Sequence, residues 1–113
     1  MKVTQSIMMG PELAKEVEHL GALLARLRHA RGMKQQEAAL RAGMSRNSAY
    51  RLERGDPGLA IGQILRYLEA IAPGKTLLEL LSQTDPALIT LGSREKKRRV
   101  RDMTRAELDA LDF

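Results

Sequence analysis

An all-α fold is what this sequence predicts, and three features carry it. Apolar residues recur at intervals of three and four through successive segments, the spacing that lines up one face of an α-helix. Glycine and proline fall between those segments rather than within them. Through residue 82 no run is long enough and suitably alternating to anchor a sheet. With 113 residues the chain has room for one domain and not comfortably two. A chain this short buries a modest fraction of its surface, so a partner subunit would add stability.

The elements follow in order. Pro11 suits the first turn of a helix, and Leu13, Val17, Leu20, Leu24 and Leu27 step along one face until Gly32 ends it, giving a helix over 12–31. Gln35 to Ala42 is rich in good helix formers and closes at Gly43. Ser45 offers a cap for a third helix reaching Arg54. Gly55-Asp56-Pro57-Gly58 reads as a turn, because proline fixes φ and glycine takes conformations that other residues avoid. A fourth helix over 61–71 places Ile61, Ile64, Leu65, Leu68 and Ile71 on one side and breaks at Pro73-Gly74. Thr76 caps a fifth, over 77–81. Beyond Ser82 the pattern fades: Thr84-Asp85-Pro86 reads as a turn, Ala87–Leu91 as a short strand, and Thr104 to Glu107 as a capping box opening a short acidic helix. The expected organisation is thus an arm at 1–11, a helical domain at 12–82 and a basic, partly ordered tail at 83–113.

Composition removes several classes of function. Without cysteine there is neither a disulfide framework nor a thiolate metal site. His19 and His29 stand ten residues apart with no ligand pattern around them, so neither a metal nor a cofactor is expected. No apolar run approaches the length of a membrane span, and the N-terminal stretch lacks the long apolar region of a signal peptide, which makes the cytoplasm the expected address. Nothing in the chain resembles a nucleophile–base arrangement, a glycine-rich nucleotide loop or a paired-carboxylate site, so no catalytic residue is assigned.

Charge points elsewhere. The net charge is +5, but residues 26–54 alone carry +6 and residues 94–101 carry +5, leaving the remainder at −6. Two concentrated basic segments on an acidic background suit a polyanionic partner.

The first of those segments contains the most informative motif. Across Gly32–Gly55, the residues Gln35, Ala39, Gly43, Ser45, Leu52, Glu53 and Gly55 stand at spacings that resemble the Xre/Cro, lambda-repressor-like helix-turn-helix family. Each has a physical reason. Ala39 lets two helices cross closely, Gly43 permits a left-handed backbone in the three-residue turn, and Ser45 satisfies the first amides of the next helix. Met44, Ala49 and Leu52 would pack that helix inward. The resemblance spans roughly residues 20–81 and implies a five-helix domain of that fold.

By this resemblance the helix after Ser45 enters the major groove of double-stranded DNA, with Arg46, Asn47, Tyr50 and Arg51 reading bases. Arginine pairs with guanine O6 and N7, and asparagine with adenine N6 and N7, each worth about 1–3 kcal/mol of discrimination. Lys34, Gln35, Ser45, Ser48 and Arg54 are implied as phosphate contacts, which fix register without reading sequence. Arg28 and Glu53 match positions that form a structural ion pair. The chain departs from the family at Lys34 and Ala60, where a capping Ser or Thr is usual, and at Tyr50, where a small polar residue is common.

The implied activity is transcriptional regulation, as a homodimer repressing its own operon from a palindromic operator in the nucleoid. The segment Arg54–Ala60 with the following helix also resembles HipB-type antitoxins, which implies a partner toxin protein neutralised by this chain. The basic run Arg94, Lys96, Lys97, Arg98, Arg99 and Arg101 has three readings: an arm on DNA phosphates, a solvated linker, or a dock for an acidic protein with Leu108, Leu111 and Phe113 as anchors. We favour a flexible DNA arm ending in a partner-binding segment.

Overall fold

The computed structural model describes the backbone of residues 5–83 and 85–111, and side chains up to Val100 other than Ser6. The described residues are all-α: α1 Gln5–Met8, α2 Pro11–Ala30, α3 Gln35–Ala42, α4 Arg46–Glu53, α5 Ile61–Ile71, α6 Leu77–Ser82 and α7 Pro86–Leu111. Five of these lie within a residue of the boundaries expected from sequence. The short helix α1 falls inside the expected N-terminal arm.

Local chemistry sets the boundaries. Gly43 closes α3 at φ 69°, a left-handed conformation that glycine adopts without a Cβ clash. Ser45 then caps α4, its Oγ accepting from the Ser48 N–H at 3.0 Å. Ala60 has no side-chain acceptor, so α5 gains only the reciprocal half of a cap, the Ala60 N–H donating to Gln63 Oε1 at 3.0 Å. A full capping box opens α6, with Thr76 Oγ1 accepting from the Glu79 N–H and Glu79 Oε1 accepting from the Thr76 N–H, each at 3.2 Å.

A single core gathers Leu23, Leu24 and Leu27 of α2, Ala38, Ala39 and Ala42 of α3, Ala49 and Leu52 of α4, and Tyr67, Leu68 and Ile71 of α5. Met44 packs against its edge. Helix α3 lies against α4 and α5, while α2 touches α4 through α7 in turn. The crossing of α2 over the end of α4 depends on two glycines. A Cβ on Gly21 would stand 2.6 Å from Leu52 O, and one on Gly55, where φ is 78°, would stand 2.7 Å from Glu18 N. Neither contact leaves room for a side chain.

The structure corrects the sequence reading in three places. The inward face of α5 is Ile64, Tyr67, Leu68 and Ile71, while Ile61 is 67% and Leu65 45% exposed. The stripe on α2 likewise begins outside the core, with Leu13 exposed.

The third correction is the largest. Ala87–Leu91 is not a strand, and no helix begins at Thr104, because both lie within the 26 residues of α7. Asp85 caps this helix: its Oδ1 accepts from the Ala87 N–H at 2.8 Å, and its carbonyl accepts from the Ile89 N–H at 3.0 Å. Pro86 at the first helical position lacks only an N–H that has no partner there. The β-branched pair Ile89-Thr90 before Gly92 imitates a strand with its stop, yet Leu88 is buried in the core and holds the segment against α2. At ~1.5 Å per residue α7 is about 39 Å long, and it contributes to an elongated body of 67 × 32 × 24 Å. The side chains of Arg101, Thr104, Glu107, Leu108 and Leu111, and Phe113 as a whole, lie outside the described residues.

Candidate nucleic-acid interface

The candidate surface is supported from behind by Glu53, the last residue of α4. Its carboxylate receives Arg28 Nε at 2.7 Å, Arg28 Nη2 at 2.9 Å, Gln35 Nε2 at 3.0 Å and the Tyr67 hydroxyl. Arg28 also donates through Nη1 to Met33 O at 2.9 Å. One cluster thereby ties α2, the start of α3, the end of α4 and the middle of α5. The Arg28 and Glu53 side chains are 10% and 7% exposed, so this is a buried pair. Burial alone would raise the Glu53 carboxyl, but the bonds from Arg28, Tyr67 and Gln35 outweigh it and hold the group below the usual carboxylate range. Burial and the adjacent carboxylate push the Tyr67 hydroxyl well above its ordinary value, keeping it a neutral donor.

On this support α4 presents its outer face. Positions 46, 47, 50 and 51 share one side of a helix. Arg46 and Asn47 are exposed at the first turn, and among the described residues neither side chain has a hydrogen-bond or ionic partner. Tyr50 and Arg54 form a pair: Arg54 Nη1 donates to the Tyr50 hydroxyl at 2.7 Å, with the guanidinium 5.4 Å from the ring centroid. Arg51 turns toward the following loop, donating from Nε to Asp56 Oδ2 at 2.7 Å. Arg51 and the Gly58 N–H hold the Asp56 carboxyl below its usual range.

The expected phosphate contacts divide. Lys34 is exposed and stands at the N-cap of α3 without a side-chain bond, so the first amides of that helix gain no acceptor from it. The Gln35 amide nitrogen is committed to Glu53, so that group serves the scaffold. Ser45 and Ser48 hydrogen-bond each other through Oγ at 3.0 Å as well as forming the cap. Arg94 and Lys96 through Arg99 are exposed on α7, whereas Glu95 within the same run folds back onto Arg26, with Arg26 Nη1 at 3.1 Å from Glu95 Oε2.

Three contributors escaped sequence reasoning: Tyr67, Asp56 and Asp85. Tyr67 had a usable signal, since it completes the spacing of Ile64, Leu68 and Ile71. The two aspartates each precede a proline and read as turn residues. Their partners, Arg51 for Asp56 and Arg31 at 2.6 Å for Asp85, are visible only in three dimensions. Among the described residues no cluster of three or more potential metal ligands forms, and no helix is long and apolar enough to cross a membrane.

A short α3, a tight Gly43 turn and an outward-facing α4 reproduce the arrangement the motif predicted. A profile described as a helix-turn-helix domain matches residues 19–81, more than half of the chain. The chain belongs to the helix-turn-helix domain family. Its type is Xre/Cro-like, and membership supports DNA binding. No curated protein and no solved structure matches the chain. The helix-turn-helix match starts within α2 and ends in α6, so α7 stands apart from what the family explains.

Proposed function

We propose that this helix-turn-helix protein is a sequence-specific transcriptional regulator that acts as a homodimeric repressor of its own operon, with α4 in the major groove of a palindromic operator. The observation that carries the reading is the exposed pair Arg46 and Asn47, without partners among the described residues, at the start of a helix braced from behind by Glu53. Two adjacent side chains with the donors and acceptors that match guanine and adenine edges, on a rigid support, are what base reading needs. Tyr50 and Arg51 extend that surface. Lys34, the α3 amides, Ser45, Ser48 and Arg54 supply phosphate contacts around it, and Gln35 takes part chiefly by bracing Glu53. The exposed cations of α7 add sequence-independent attraction, and the address is the cytoplasm, at the nucleoid when DNA is bound. The operative units are the 12–82 domain and α7.

The antitoxin reading keeps the Arg54–Ala60 resemblance as its support. The short strand expected at 87–91 adds nothing to it, since that segment is helical. Affinity purification from nuclease-treated cells separates the two: a stoichiometric protein partner released by removing residues 94–113 favours the antitoxin, and a homodimer alone favours the repressor.

Selection from a random-sequence duplex pool tests base reading. The parent should enrich a two-fold symmetric motif. Arg46→Ala and Asn47→Ala should each lose discrimination at one position per half-site, by about 1–3 kcal/mol, with unchanged helicity. Enrichment of the same motif with the same stringency by both variants overturns the reading.

A further inference from the structure

We propose that Asp56 is a positioning residue for Arg51, holding the guanidinium so that its outer N–H groups meet a base at a fixed place; this rests on the reading of α4 as the base-reading helix. Arg51 Nε lies 2.7 Å from Asp56 Oδ2. Such a contact occupies the inner edge of the guanidinium and leaves the Nη1–Nη2 end, the fork that pairs with guanine O6 and N7, without that partner.

Asp56 is a fixed anchor rather than a second mobile side chain. Its Oδ1 accepts the Gly58 N–H at 2.8 Å, its own N–H donates to Arg51 O at 3.0 Å, and the ring of Pro57 locks the backbone between them. Gly58 leaves the space this needs, since a Cβ there would stand 3.1 Å from Asp56 Oδ1 and 3.6 Å from Arg51 Nη2. A turn alone would need only Oδ1. The second oxygen is directed at Arg51, and nothing in the geometry of the loop requires that.

Asp56 acts by removing freedom that Arg51 would otherwise lose on binding. A long side chain immobilised at an interface weakens binding by about three- to tenfold. Pre-ordering confines that gain to the correct base, because an ordered fork cannot swing to another acceptor. The anchoring carboxylate also adds a negative charge near the phosphates, which lowers affinity for every sequence alike. Asp56 therefore exchanges general affinity for selectivity.

The test compares the parent, Asp56→Asn, Asp56→Glu and Arg51→Ala in selections from a random-sequence duplex pool, followed by Kd ratios between the preferred duplex and single-base variants. Asparagine keeps an oxygen for the Gly58 N–H and loses the charge that orients Arg51. D56N should reduce discrimination by about three- to tenfold at the one position that R51A abolishes, leave the other positions and Tm in place, and bind unrelated duplex at least as tightly as the parent. D56E should recover part of the lost discrimination.

Undiminished discrimination in D56N overturns the proposal. So does a loss spread evenly over all positions with a lower Tm, which marks a purely structural residue. If R51A removes no positional preference while R46A and N47A do, Arg51 reads no base; the proposal fails and the proposed function stands. A parent that enriches no motif overturns both.

Discussion

Glu53 holds four side-chain hydrogen bonds from three residues on three other segments. Removing a partner from such a buried pair leaves a charge without compensation, which costs about 3–5 kcal/mol. Urea unfolding of Glu53→Ala should show a loss of that size, and Glu53→Gln a smaller one, because its amide oxygen still accepts from Gln35 or Tyr67. The same bonds set a pH dependence. The Glu53 and Asp85 carboxyls lie below their ordinary values in the folded state. Their stabilisation is therefore present above the unfolded-state values, near pH 4, and is lost as the pH falls through the lower folded values. Calorimetry should show Tm falling steeply below about pH 4, with a shallower acid limb for Glu53→Gln.

At the scale of elements, two glycines decide how α2 meets α4, and their contacts are backbone atoms that cannot move aside. Gly21→Ala places a Cβ within 2.8 Å of Glu53 O and Gly55 N. It should destabilise the fold by about 1–3 kcal/mol, the usual cost of overpacking, as read by chemical unfolding. Leu88→Ala should cost about 2–5 kcal/mol if α7 is anchored through this residue, with helical circular dichroism decreasing as α7 detaches. The helices of the motif were legible in the sequence because glycine, proline and capping residues mark their ends locally. The inward face of α5 was read one position out, since Ile61 and Leu65 fit the period but Tyr67 is drawn in by its hydroxyl bond to Glu53. Helix α7 was misread because its start rests on a buried Asp85, and burial is not a local property. The exposed placement of Arg46 and Asn47 at the start of α4 was legible through the motif spacing; the Arg51–Asp56 contact was not, because it joins a helix to a loop that sequence describes only as a turn.

For the whole molecule, two basic segments on an otherwise acidic chain predict a salt signature for DNA binding. Each phosphate contact contributes about −0.9 to the slope of log K against log salt, so neutralising Arg94, Lys96 and Lys97 should make the slope shallower by a unit or more if α7 touches DNA. Fluorescence anisotropy across a salt series measures this directly. Sequence preference should be unaffected if, as proposed, α4 reads base edges and α7 adds only sequence-independent attraction.

Methylation interference separates major-groove reading by α4 from the alternatives. Guanine N7 lies in that groove, and a methyl group there blocks an arginine fork without altering the minor groove. On the selected duplex, methylation of guanines at one or two positions per half-site should prevent binding, with the parent's sensitivity at one such position disappearing in Arg46→Ala. Full binding to duplex methylated at every guanine N7 of the site, together with loss of binding on blocking the minor groove, would mean that α4 does not read the major groove.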